Sequence, residues 1–82
     1  VDGGIQMLFS NKLKALREDN DLTQKELAKI LHITRTTLSN YETAYRTPSI
    51  YLVISIATYF NVSTDYLLGR TDIPAPYPIK HK

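Results

Sequence analysis

Residues 23–41, TQKELAKILHITRTTLSNY, decide the fold. Thr23 and Glu26 stand in capping-box register. The threonine hydroxyl can accept from the N–H of Glu26, and the Glu26 carboxylate can reach back to the N–H of Thr23. Leu27, Ala28 and Leu31 then recur at helical spacing and mark a buried face. After His32-Ile33-Thr34, Thr34 caps a second helix whose inward residues are Leu38 and Tyr41. Arg35, Thr36, Ser39 and Asn40 are left pointing outward, a hydrogen-bonding surface on a short helix. Two helices joined by so short a turn cross steeply and closely, so one contact position must carry little bulk. Ala28 supplies it.

Leu27, Ala28, Leu31, Ile33, Leu38 and Tyr41 fill the apolar and small positions of a DNA-binding helix-turn-helix. The motif resembles that of the Cro/CI-type, or xenobiotic-response-element, family of transcriptional regulators. The similarity extends over roughly Met7 to Thr71. Upstream, LKALREDNDLTQ resembles the family's first helix and its lead into the motif. Downstream, NYETAYRTPS and YFNVSTDYLLGRT resemble its later turns and last helix. The resemblance implies an all-α, five-helix, lambda-repressor-like DNA-binding domain with a central helix-turn-helix.

Composition sets wider bounds. Eighty-two residues, 43% of them hydrophobic, fit one small domain with one modest core. The lack of cysteine excludes disulfides and thiolate metal sites and suits a reducing cytoplasm, the expected location. Nothing reads as a signal peptide. Residues 47–64 are uncharged, but Pro48, Asn61 and several Ser and Thr interrupt them, so a buried helix is expected rather than a membrane span. The net charge of +2 neither demands nor excludes a nucleic-acid partner. Between Leu22 and Pro48, Lys25, Lys29, Arg35 and Arg46 stand against Glu26 and Glu42, a small basic excess where the resemblance puts DNA. Clustered histidines, evidently paired carboxylates and a phosphate-cradling glycine loop are all lacking. The expectation is no enzyme, no cofactor, no metal and no small-molecule ligand.

Along the chain, residues 1–6, VDGGIQ, look unlike the rest, and Met7 is a natural start. They are set aside as a cloning remnant or disordered segment, leaving 7–70 as the domain. Ser10 is the expected cap of the first helix, which runs to about Asp19 with Phe9, Leu13 and Leu16 inward. Asn20-Asp21 ends it. His32 stands where related proteins usually carry glycine, which implies positive φ, and histidine is among the few other types enriched there. Thr43-Ala44 replaces the Asn-Gly often found in the family's next loop. Ser49 caps the fourth helix, with Ile50, Val53, Ile54, Ala57 and Phe60 as its core face. Its other face, Tyr51, Leu52, Ser55, Thr58 and Tyr59, carries no charge. Tyr51, Leu52 and Tyr59 are therefore a candidate protein interface, or else isolated apolar surface residues. Ser63 caps the fifth helix, Val62, Tyr66 and Leu67 join the core, and Gly69 is the stop. In residues 71–82, Pro74, Pro76 and Pro78 alternate and favour an extended tail: a linker, a dimer arm or plain disorder.

The chemistry of the outward residues suits double-stranded DNA. Arg35 can donate twice to the O6 and N7 edge of guanine, Asn40 can pair with the N6 and N7 edge of adenine, and Thr36 can bond a base or pack on thymine's methyl. The family pattern implies the same base readers, with Ser39 in reach. Thr37 is left to satisfy the helix's own first turn. Gln24, at a helix N-terminus, can hold a phosphate oxygen through its side chain and backbone N–H, and the resemblance implies that role. Thr23 and Thr34 are caps that can also touch phosphate, and Tyr45 and Arg46 match the family's second phosphate clamp. The resemblance also implies a structural salt bridge between Arg17 and Glu42. Such domains usually bind as homodimers on half-sites ~34–36 Å apart. The expected role is a transcriptional regulator, a repressor of bacterial or phage type. The alternative is a protein-interaction module on the same scaffold, for example an antitoxin-like partner-binding protein.

Overall fold

A computed structural model describes residues 2–76, with their side chains from Met7 onward. Five helices follow one another: α1 (Asp2–Asp19), α2 (Gln24–Leu31), α3 (Arg35–Glu42), α4 (Ile50–Phe60) and α5 (Thr64–Leu67). No strand occurs among the described residues. Each helix places one large side chain fully inside, respectively Leu13, Leu27, Leu38, Ile56 and Leu67. Burying a side chain of that size is worth about 1.5–3 kcal/mol, so all five helices are bound into one core. Ala28 and Ala57 are also buried and let neighbouring helices approach.

The junctions share one device. At His32 (φ 60°) the backbone N–H bonds to the Lys29 carbonyl at 3.2 Å, and the Ile33 N–H returns to the Ala28 carbonyl at 2.9 Å. Asp21-Leu22 closes on Glu18 and Arg17 at 3.0 and 3.1 Å, and Asn61-Val62 on Thr58 and Ala57 at 3.2 and 2.9 Å. Gly69-Arg70 closes on Tyr66 and Asp65 in the same manner. In each case a left-handed residue reverses the chain and the two N–H groups satisfy carbonyls that the helix end leaves open. At three of these junctions the next residue caps the following helix. The units are Asp21-Leu22-Thr23, His32-Ile33-Thr34 and Asn61-Val62-Ser63. The middle residue of each, Leu22, Ile33 or Val62, packs on the core and anchors the turn.

Two expectations need correction. The first helix does not begin at Ser10. It starts at Asp2 and runs through residues 2–6, which the sequence had set aside. Ser10 lies inside α1, 2% exposed, and its hydroxyl donates to the Tyr41 carbonyl oxygen at 2.5 Å. Capping preference is a local signal, and here a carbonyl at the end of α3 takes the hydroxyl instead. On α4, Ile50 and Ile54 are exposed at 59% and 48%, while Ile56 is fully buried. Val53, Ala57 and Phe60 do face the core, and Leu52 packs against it rather than joining a surface patch. The sequence IYLVISIATYF has no charged residue to mark its outer side, so periodicity alone misplaced the helix face.

The segment after α5 turns back. The Pro74 carbonyl accepts from the Ser63 N–H at 2.9 Å, beside the start of α5. Pro78 and the rest of residues 77–82 lie outside the described residues, as does Val1. Lys12 places its ammonium 4.3 Å from the centroid of the Tyr66 ring, which ties α1 to α5.

Candidate nucleic-acid interface

The capping box of α2 is complete. Thr23 Oγ1 accepts from the Glu26 N–H at 3.0 Å, and Glu26 Oε1 accepts from the Thr23 N–H at 2.8 Å. At the head of α3, Thr34 Oγ1 accepts from the Thr37 N–H at 3.0 Å, and the two hydroxyls lie 2.8 Å apart. Thr37 is thereby engaged within its own first turn. Both caps are exposed, and the helices they start carry their positive dipole ends outward. At each head the cap hydroxyl takes the third helical N–H, and the first two have no intrahelical acceptor.

Gln24, Arg35, Thr36 and Ser39 line one open surface cleft of about 230 Å³, between the start of α2 and the first turns of α3. Arg35 and Thr36 are exposed, Ser39 and Gln24 half-buried. Among the described residues, the side chains of Arg35, Thr36, Ser39 and Asn40 make no hydrogen bond or ion pair with the rest of the chain. Arg35 opens α3, and no acidic residue shares that turn. A cation at a helix N-terminus opposes the dipole, typically by about 0.3–1 kcal/mol. The placement suits an external polyanion better than it suits the free helix.

Asn40 lies on α3 outside the cleft lining and is half-buried. Its carbonyl accepts from the N–H groups of Tyr45 and Arg46 at 2.8 and 3.2 Å, which anchors the following loop to α3. The loop turns at Ala44, whose φ is 63°. This is the residue that stands in place of the family's glycine. Tyr45 is 76% exposed and Arg46 is exposed beside it.

Behind the cleft lies a buried ionic network. Arg17 donates to Glu42 twice, from Nε to Oε2 at 2.6 Å and from Nη2 to Oε1 at 3.0 Å. Its Nη1 donates to the Leu22 carbonyl at 2.9 Å. The side chains are only 11% and 3% exposed. The hydrogen bond that Arg17 donates to Glu42, and the carboxylate's charge, hold Arg17 above its ordinary pKa although burial opposes this. Removing one partner of such a pair leaves a buried charge and typically costs about 3–5 kcal/mol. Gln24 Nε2 also donates to Glu42 Oε1, at 3.1 Å. Nothing in the spacing of residues 24 and 42 signals that contact.

Tyr51 and Tyr59 are exposed on α4 at 79% and 46%, with Ile50 and Ile54 exposed on the same helix. Among the described residues no helix is long and apolar enough to cross a membrane.

A model of the helix-turn-helix family matches residues 13–67. The chain belongs to this family. The family model, together with the HTH-type transcriptional regulators that the chain aligns with, supports the Cro/CI, or xenobiotic-response-element, type. The HTH-type transcriptional regulator ImmR of Bacillus subtilis is 42% identical over 67 residues, 82% of this chain and 53% of ImmR. Antitoxin PezA of Streptococcus pneumoniae is 36% identical over 69 residues, 84% of this chain and 44% of PezA. The cryptic phage CTXphi transcriptional repressor RstR of Vibrio cholerae is 27% identical over 75 residues, 92% of this chain and 68% of RstR. The chain thus spans about half the length of ImmR and less of PezA. The helix-turn-helix match covers α2 and α3 with the packing elements on both sides, from Leu13 in α1 to Leu67 in α5.

Proposed function

We propose that this chain binds double-stranded DNA sequence-specifically, as the DNA-reading part of a cytoplasmic transcriptional repressor that acts as a homodimer. The start of α3 enters the major groove. Arg35, Thr36, Ser39 and Asn40 face the base edges, where Arg35 matches guanine and Asn40 adenine. The backbone N–H groups at the heads of α2 and α3, next to Thr23, Gln24 and Thr34, hold phosphates on one side. Tyr45 and Arg46 hold them on the other. The observation that carries this reading is the unpaired set Arg35, Thr36 and Ser39 on an exposed helix start, braced from behind by Arg17 and Glu42.

The second copy is proposed to dock on the exposed face of α4. The helix is uncharged throughout, so the face carrying Ile50, Tyr51, Ile54 and Tyr59 meets the same face of the second copy across a two-fold axis without like-charge repulsion. That arrangement gives both the DNA reading and the apolar face a role. The rival reading assigns the same face to a different protein, as for an antitoxin-like partner, and leaves α3 unused.

Fluorescence anisotropy with a labelled mixed DNA pool, repeated with Arg35→Ala and Asn40→Ala, separates the two. DNA reading predicts saturable binding that falls steeply with salt and becomes less sequence-selective in both variants. A chain that ignores the pool, or binds it equally well in both variants, contradicts the proposal.

A further inference from the structure

At the three junctions built alike, the N–H of the capping residue meets three different fates. At the head of α2, the Thr23 N–H is taken by the carboxylate of Glu26, three residues on, at 2.8 Å. At the head of α3 the third residue is Thr37, and among the described residues the exposed Thr34 N–H meets no acceptor. At the head of α5 the third residue is Tyr66, which has no carboxylate to offer. Ser63 is 5% exposed there, and its N–H donates to the Pro74 carbonyl oxygen at 2.9 Å. A backbone donor held away from water requires an acceptor, and the segment after α5 supplies it. We propose that residues 71–74 are a strap that completes the cap of α5 from outside the helix, and that its release opens the corner between α4 and α5.

The strap is aimed by local structure and only lightly held. Gly69 and Arg70 reverse the chain at the end of α5, returning their N–H groups to Tyr66 and Asp65. The Thr71 hydroxyl oxygen then accepts from the Ile73 N–H at 3.2 Å, a second turn that sends Pro74 back to the head of the helix. Residues 72–76 are all exposed, so burial adds little and the bond to Ser63 carries the closure. The net worth of one such bond corresponds to about a fivefold bias toward the closed state. α5 depends on that bias. Its four residues are too few to stand as an isolated helix, yet its Leu67 is fully buried in the core.

The segment that completes α5 is also the one that leads on past residue 76. Whatever draws it away, the continuation of the chain or a protein that binds it, therefore acts on the corner at Asn61-Val62-Ser63. That corner follows directly on the stretch of α4 that carries Ile54 and Tyr59. Resting on the proposed docking of a second copy on this face, release of the strap weakens the contact between copies. The strap itself does not depend on that reading.

Two shortened chains test this against the full one. A chain ending at Pro76 keeps the Pro74 carbonyl, and a chain ending at Asp72 removes it. Amide hydrogen exchange is read by ¹⁵N NMR. The chain ending at Pro76 should exchange the Ser63 N–H as slowly as the full chain. The chain ending at Asp72 should exchange it at least about fivefold faster, and Leu67 and Leu68 with it, while Leu27 and Leu38 stay as they were. Equal Ser63 exchange in the two shortened chains, or the same acceleration at Leu27 and Leu38, would overturn the strap. Tyr66→Glu gives α5 the carboxylate that α2 has at this position, and in that background the two shortened chains should differ by less than about twofold. An undiminished difference there would contradict the capping role. Should the chain ending at Asp72 not fold, its recovery by Tyr66→Glu supports the strap and failure to recover contradicts it. Sedimentation reads the consequence for assembly. The chain ending at Asp72 should dimerise up to about fivefold more weakly than the chain ending at Pro76, and equal dissociation constants would overturn the link to the docking face. A full chain that stays monomeric refutes the docking of a second copy, and the Ser63 exchange still decides the strap.

Discussion

Ser10 donates its hydroxyl to the carbonyl oxygen of Tyr41 at 2.5 Å, across 31 positions of sequence. The bond joins the middle of α1 to the end of the helix that carries Arg35. Ser10→Ala removes the donor from a buried site and should lower stability by about 1 kcal/mol in urea unfolding. The Ala44 N–H still reaches the same carbonyl, at 3.3 Å, which keeps the loss modest. An unchanged unfolding midpoint would show that the bond contributes nothing.

The left-handed residues predict which substitutions the turns accept. Ala44 holds φ 63°, a conformation that costs a residue bearing Cβ about 1–2 kcal/mol. Glycine relieves that cost but adds freedom to the unfolded chain, by about 0.4–1 kcal/mol. Ala44→Gly should therefore stabilise the protein slightly, and His32→Gly should not destabilise it. A clear fall in melting temperature in either variant contradicts the left-handed turn at that position.

Gly69 behaves oppositely. Its φ is 79°, and a Cβ built on it would lie 2.8 Å from Leu8 Cβ. Gly69→Ala adds steric overlap with α1 to a strained backbone, and at least ~1 kcal/mol of stability should be lost. Calorimetry checks this, and an alanine variant that melts with the wild type would mean that α5 does not close on α1 in this way.

Arg35 and Arg46 should fail differently. Arg35→Ala removes a cation from a helix N-terminus, so the free protein should be as stable as wild type or slightly more so. Its DNA affinity should drop by ~1–3 kcal/mol at one base pair. Arg46→Ala should weaken all sequences alike and flatten the log K against log salt slope by ~1 unit. Equilibrium binding at several salt concentrations distinguishes them, and a base-selective loss for Arg46 would remove it from the phosphate contacts.

The α4 face makes a prediction about assembly. Tyr51→Lys and Ile54→Lys place charges on a helix surface that is exposed in the single chain, so the fold should persist by circular dichroism. Sedimentation should show dimer in the wild type and monomer in both variants. A wild type that stays monomeric with and without DNA would argue against the two-fold contact.

How much of this the sequence discloses depends on the range of each signal. The caps at Thr23, Thr34, Ser49 and Ser63 and the reversals at Asp21, His32 and Gly69 are written in a few adjacent residues, and they are where the helices begin and end. The orientation of α4 is not, because an uncharged helix lacks the polar face that sets its rotation. Leu52, Ile54 and Ile56 look alike until neighbouring helices bury two of them. Ser10 was misread for the opposite reason, since its capping preference is local and its actual partner lies far along the chain. Within the candidate site, the outward set on α3 follows from helical spacing. The hydrogen bond between Gln24 and Glu42 depends on how α2 and α3 cross and on Arg17 from α1, three elements that no short motif joins.

The central claim is that α3 reads DNA sequence through Arg35 and its neighbours in a two-fold arrangement. Selection of bound sequences from a random double-stranded DNA library tests it most directly. The expected result is an enriched inverted repeat with half-site centres about one helical turn, or a multiple of it, apart. Each half-site should hold a guanine whose enrichment disappears when the selection is repeated with Arg35→Ala. Enrichment of no sequence, or of a sequence that the Arg35→Ala protein selects equally well, would contradict it.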